Sequence, residues 1–213
     1  KMIAIVDYGM GNLRSVSKAF QSQEFPVVVT RNPEDISNAS GLVLPGVGAF
    51  GDCVKNLNDY GLIDPILNFI DSGKPFLGIC LGLQVLFEES EEAPGVKGLG
   101  LIKGRVIRFP DFKKEGLKVP HMGWNQISIK KGAPILNGVP ENSWFYFVHS
   151  YYPSPEDDSV SAVKTTYGFE FTAAVAKDNI FASQFHPEKS SDLGLKMIQN
   201  FSIQCGEKKR EKA

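Results

Sequence analysis

Short, uniformly apolar runs recur through the first part of the chain, each followed by a segment with helical spacing. Ile3-Ala4-Ile5-Val6, Val27-Val28-Val29, Gly41-Leu42-Val43-Leu44-Pro45 and Pro75-Phe76-Leu77-Gly78-Ile79 are the apolar runs, and they read as buried strands. Between them, Val16, Ala19 and Phe20 share one helical face behind Asn12, a good N-cap, and Asn32-Pro33 opens a short helix. Val54 and Leu57 mark a third helix. Leu62, Ile63, Ile66, Leu67 and Ile70 mark a fourth, stopped at Gly73. Past Ile79, the spacing of Leu83, Leu86 and Phe87 predicts one more helix, closed by Glu88-Glu89-Ser90. Strands apolar on both faces, alternating with helices, predict a parallel sheet covered on both sides.

The second half changes character. Segments rich in β-formers are separated by Gly and Pro: residues 101–107, 126–129, 143–148, 161–163, 171–175 and 180–185. A last helix is expected from Asp192 to about Gln204, with Leu195, Ile198 and Phe201 on one face. The predicted class is α/β: a mostly parallel central sheet with helices on both faces, and an additional β-rich, partly antiparallel second half. One domain is expected over residues 1–206, with 207–213 as a charged tail or the start of a linker.

Composition narrows the function classes. With 213 residues, 42% hydrophobic and 22% charged, the chain has the make-up of a soluble globular domain. A net charge of -1 supplies no general electrostatic footprint for nucleic acid. No apolar run approaches a membrane span, and no signal-peptide pattern opens the chain. Cys53, Cys80 and Cys205 are widely spaced and form no C-x-x-C pair, which argues against a disulfide framework or a cysteine-rich zinc site. A reduced, cytoplasmic setting is expected, with no metal and no cofactor.

The chemistry converges on Cys80. It stands where an apolar strand gives way to helix, with Gly78 two before and Gly82 two after, the thiol version of the G-x-S-x-G nucleophile elbow. That turn presents the side chain above the sheet, where free backbone N–H groups favour thiolate over thiol. Read alone, the stretch also fits a buried core cysteine beside a tight turn. A thiol nucleophile needs a base, and His186 ends the Ile180–Phe185 run with Pro187 and Glu188 behind it. Residues two apart in extended backbone project to the same side, so Glu188 can orient the imidazole while its other nitrogen faces the thiol. Attack on a carbonyl creates an oxyanion. Leu81 N–H, the amide after the nucleophile, is one expected donor, and the loop Gly46-Val47-Gly48 is expected to supply the second. Gly46 to Gly51 also has the G-x-G-x-x-G spacing of dinucleotide sites, but it follows the third strand rather than the first.

Gly78-Ile79-Cys80-Leu81-Gly82-Leu83-Gln84 with His186-Pro187-Glu188 resembles the class I, triad-type glutamine amidotransferases. Asp7 to Leu13, Pro45 to Phe50, Pro120 to Asn125, Phe147 to Tyr151 and Gln184 to Ser190 extend the resemblance from the first strand to the last helix. Within that family they are most similar to the glutaminases that serve imidazole glycerol phosphate synthesis. The resemblance implies hydrolysis of glutamine to glutamate and ammonia, with ammonia passed to a (β/α)8-barrel cyclase as a separate or fused partner. It also implies that Gly48 and Gln84 bind glutamine, that His149, Ser150 and Tyr151 contact its amino-acid end, and that Asn12, Met122, Trp124 and Lys189 lie toward the cyclase. His121 and Trp124 read equally well as packing residues. Glutaminases of the anthranilate or guanylate synthase type share the triad, and an idle regulatory module could share the fold.

Overall fold

A computed structural model describes residues 2–207. Strands β1 (Ile3–Val6), β2 (Val27–Thr30), β3 (Gly41–Leu44) and β4 (Phe76–Ile79) alternate with helices α1 (Leu13–Ser22), α2 (Pro33–Asn38), α3 (Phe50–Asp59) and α4 (Ile63–Asp71). Then follow the single-turn helix α5 (Leu81–Gln84) and strands β5 (Phe87–Ser90), β6 (Ile102–Arg108), β7 (His121–Gln126), β8 (Ser128–Ile129) and β9 (Trp144–His149). Strands β10 (Tyr151–Pro155), β11 (Ser161–Tyr167), β12 (Phe169–Lys177) and β13 (Ile180–Ser183) lead to helix α6 (Ser191–Gln204).

The central sheet has the order β2-β1-β3-β4-β13-β12-β11-β8. From β2 to β13 every neighbouring pair is parallel, and from β13 to β8 every pair is antiparallel. Alternation along β1 shows how the sheet is covered. Ile3 and Ile5 pack with Val16 and Phe20 of α1 and with Ile198 and Phe201 of α6. Ala4 and Val6 face the other way, toward Ile36, Leu57 and Ile66 of α2, α3 and α4. Both faces of the strand are therefore buried, which is why it carries no polar residue. Asn12 caps α1 through Ser15 N–H at 3.4 Å, and Asn32 caps α2 through Glu34 N–H at 3.0 Å.

Two smaller sheets stand beside the central one, β10-β6-β5 and β7-β9, and they account for the departures from sequence expectation. The helix expected to carry Leu83, Leu86 and Phe87 stops at Gln84. Phe87 instead opens β5, which pairs with β6 through Phe87↔Ile102 and Ser90↔Val106. Leu83, Leu86 and Phe87 are fully buried, so their burial satisfies either period, and pairing with a distant strand decides the outcome. The expected strand over residues 126–129 is two strands. β7 pairs with β9 and β8 with β11, with Ile127 turning between them. β10 contains Pro153 and Pro155, tolerated because it is the edge of its sheet. Of the expected charged tail, Glu207 accepts a hydrogen bond from Ser40 Oγ, and the remainder lies outside the described residues.

Candidate active site

Cys80 follows β4 directly and takes φ 55° and ψ -107°, a conformation that costs a non-glycine residue about 1–3 kcal/mol and persists only where its surroundings enforce it. The enforcement is visible. Cys80 N–H donates to Ser183 O at 2.7 Å, which ties the turn to β13. A Cβ on Gly82 would fall 1.8 Å from Leu44 O, and one on Gly78 would fall 2.5 Å from Gly82 O. Only glycines let strand, turn and helix approach this closely. With α5 a single turn long, no long helix dipole stands behind the thiol.

His186 follows β13, and Glu188 sits in the 3-10 turn Pro187–Lys189. Their side chains are 1% and 2% exposed, and His186 Nδ1 lies 2.7 Å from Glu188 Oε1. His186 Nε2 is buried and, among the described residues, has no partner in full hydrogen-bond geometry, while the nearby Cys80 sulfur attracts it. Burial opposes the imidazolium. The Cys80 sulfur and the Glu188 carboxylate outweigh it and raise the imidazole pKa to about 10. The structure thus brings the three expected triad residues together. The arrangement suits a thiolate–imidazolium pair oriented by a carboxylate.

Cys80 opens on a cavity of about 450 Å³. Val47, Gly48, Leu81, Gln84, His149, Ser150 and Tyr151, all named from the sequence, line it, and so does Lys189. Leu81 N–H does not stand free: it donates to Gly46 O at 3.2 Å. The 46–48 loop is held from behind by Tyr8, whose hydroxyl donates to Pro45 O at 2.6 Å. Gln84 Nε2 donates to Tyr151 O at 3.2 Å and to Gln184 Oε1 at 3.0 Å. Asn12 caps α1, and its side chain is engaged there. Met122 and Trp124 are 62% and 49% exposed on β7 and are not among the residues lining the cavity.

A family model described as Glutamine amidotransferase class-I matches residues 4–205. The chain belongs to this family. A relative from Syntrophotalea carbinolica, named imidazole glycerol phosphate synthase subunit HisH, is 56% identical over 203 residues, covering 94% of this chain and 98% of the relative. A relative of the same name from Geobacter sulfurreducens is 54% identical over 202 residues, covering 93% and 97%. Among solved structures, PurLQS from Thermotoga maritima shares the fold with a TM-score of 0.74 at 19% identity, covering 95% of this chain and 97% of that one.

Two polar residues of this amidotransferase's site escaped sequence reasoning. Glu92 lines the cavity, where Oε2 accepts from Phe50 N–H at 3.1 Å. It lies in a turn after β5, and only the unforeseen strand pairing brings it there. Gln184 is fully buried, with its Nε2 3.6 Å from Cys80 Sγ. A signal for it did exist: it precedes His186 by two residues, on the side that reaches the thiol.

Proposed function

We propose that this chain is a glutaminase that hydrolyses glutamine to glutamate and ammonia through a thioester on Cys80. The observation that carries the reading is the buried Cys80–His186–Glu188 arrangement opening on a cavity sized for a small amino acid. In this mechanism the Cys80 thiolate attacks the side-chain carbonyl carbon of glutamine and forms the C–S bond, and the oxygen becomes an oxyanion. His186 Nε2–H protonates the departing nitrogen as the C–N bond breaks and ammonia leaves. A water then gives a proton to His186, attacks the thioester carbonyl and, as the C–S bond breaks, releases glutamate and restores the thiolate. Glu188 holds the imidazole throughout.

Leu81 N–H, with Val47 and Gly48 of the facing loop, is the oxyanion site in this reading. The bond from Leu81 N–H to Gly46 O has to open before that donor can receive charge. One such donor contributes about 3 kcal/mol to the transition state. Glutamine hydrolysis by the chain alone is therefore slow. At the amino-acid end of the substrate, Glu92 suits the α-ammonium, and Lys189 with Gln84, His149, Ser150 and Tyr151 frames the remainder of the pocket.

The shared name of the relatives, a synthase subunit, supports a partner subunit for this chain. We assign the partner as a (β/α)8-barrel cyclase that uses the ammonia to form imidazole glycerol phosphate and an aminoimidazole carboxamide ribotide in histidine biosynthesis. Met122, Trp124, Asn12 and Lys189 form the facing surface. Among the described residues no helix is long and apolar enough to cross a membrane. The three free cysteines suit the reducing cytoplasm we assign to the reaction.

The test is Cys80→Ala. It is expected to abolish glutamate release, assayed with partner and nucleotide present, while leaving partner binding intact. Glutamate release at the wild-type rate would overturn the mechanism.

A further inference from the structure

Gln184 has more polar engagement than its place in the fold requires. Its backbone is satisfied by the bond from its N–H to Ala173 O at 2.7 Å, so the strand pairing needs no polar side chain there. The side chain is nonetheless an amide, fully buried, with both ends in use. Nε2 donates to Cys80 Sγ at 3.6 Å, and Oε1 accepts from Gln84 Nε2 at 3.0 Å. Burying an amide is costly unless its hydrogen bonds are made, and an apolar side chain of similar length would fill the volume at no such cost. Gln184 and His186 lie two apart and reach the same sulfur, one as a neutral donor and one as the base.

We propose that Gln184 belongs to the reaction centre: its Nε2–H supports the sulfur anion, and its Oε1 fixes the orientation of the Gln84 amide beside the substrate. The inference rests on Cys80 being the nucleophile. An N–H donor binds a thiolate more strongly than the neutral sulfur of a thioester. Its support therefore matters twice: in holding the resting anion, and when the C–S bond breaks and the electron pair returns to sulfur. At the other end, Gln84 Nε2 spends its two hydrogens on Tyr151 O and Gln184 Oε1. The amide of Gln84 is thereby fixed in one sense, and the polar atom it has left to offer a substrate is Oε1.

Two variants separate the roles. Gln184→Glu keeps the size and the acceptor for Gln84 but puts an acceptor against the sulfur. Gln184→Met keeps the length and removes both functions. The pH dependence of alkylation by iodoacetamide, read on the Cys80 peptide of the whole chain by mass spectrometry, reports the thiolate directly. Both variants are expected to move the alkylation midpoint up by about one pH unit, which lowers reactivity about tenfold at pH values below the wild-type midpoint. In glutamate release by the complex with its partner, both are expected to lower kcat. Gln184→Met alone is expected to raise KM for glutamine several-fold. Merely structural damage would not move an alkylation midpoint. An unmoved midpoint in both variants overturns the first role, and an equal rise in KM in both overturns the second. If Cys80→Ala is inactive while the midpoint stays unmoved, this inference fails alone. An active Cys80→Ala brings down the reading beneath it.

Discussion

Beside the cavity runs a hydrogen-bond chain with one permitted proton order. His149 Nδ1 lies 2.7 Å from Tyr151 O, so it must carry the hydrogen. His149 Nε2 therefore accepts from His121 Nδ1 at 2.9 Å. His121 Nε2 is left to accept from the Asn125 amide at 3.2 Å, and the same amide donates to Thr166 O at 2.8 Å. The His121 ring stacks between Phe147 and Tyr167, at 4.7 and 4.1 Å between centroids. A further proton on either imidazole would set two N–H groups against each other in an apolar enclosure. Burial pushes His121 down to about 4. Burial, then the charges of His121 and His186, push His149 down to about 3, against the Tyr151 carbonyl, which favours the charged form. Both folded values lie below the unfolded value of about 6.5, so the unfolded chain takes up protons first as pH falls. Stability is full above that pH and declines beneath it, by roughly 3 kcal/mol for the pair between about pH 6.5 and pH 5. Urea unfolding across that window measures it, before most carboxylates titrate. A flat profile would show that the two rings are not held neutral. The resemblance implied His149 as a substrate contact, and His121 read equally well as a packing residue. Only the 28-residue separation closed by β7 and β9 reveals the pair.

At the scale of elements, the glycines around Cys80 have separable duties. Gly82→Ala would drive a methyl group into Leu44 O of the neighbouring strand, a backbone atom that cannot swing aside. A stability loss of about 3 kcal/mol or more is expected, together with displacement of the elbow and loss of activity. Gly73 ends α4 at φ 78° with open space around it, so Gly73→Ala is expected to cost only about 1 kcal/mol and to leave activity unchanged. Thermal unfolding of the two variants, with glutamate release, distinguishes them; equal losses would mean that the crowding at Gly82 is relieved. The same contrast explains what the chain announces in its residues. β1, β3 and β4 are legible because burial on both faces leaves them wholly apolar, and the helices between the first four strands repeat their apolar side every turn. Cys80, His186 and Glu188 are legible because the spacing that builds their geometry is local. β5, β7 and β10 are not: β7 and β10 carry Gly123, Pro153 and Pro155, and the apolar residues leading into β5 fit either period until Phe87 pairs with Ile102. Glu92 enters the site only through that pairing, so its role is hidden with it.

For the whole molecule, the two-stranded sheet β7-β9 is the piece that joins outer surface to inner chemistry. Its outward face carries Met122, Trp124 and Trp144, at 62%, 49% and 54% exposure, an apolar cluster that a solitary chain gains nothing by displaying. The strands behind that face hold the site in place. His186 N–H donates to Tyr146 O at 3.0 Å, and Tyr146 N–H donates to Ser190 Oγ at 3.0 Å, so β9 grips the turn bearing His186 and Glu188. Lys189 lies over the Tyr146 ring at 5.9 Å, beside the same cavity. A partner seated on Met122 and Trp124 therefore presses on a sheet that is bonded to the base. With a net charge of -1, long-range steering contributes little to assembly, and the apolar anchors must supply the affinity. Trp124→Ala is expected to weaken cyclase binding by at least tenfold, about 1.4 kcal/mol, in a calorimetric titration. Glutamate release should be slow for the wild-type chain alone and rise when cyclase and nucleotide are added. The variant should reach that rise only at higher cyclase concentration. Affinity unchanged by Trp124→Ala would move the docking surface elsewhere, and a wild-type rate unaffected by the partner would show that the Leu81–Gly46 bond does not limit turnover.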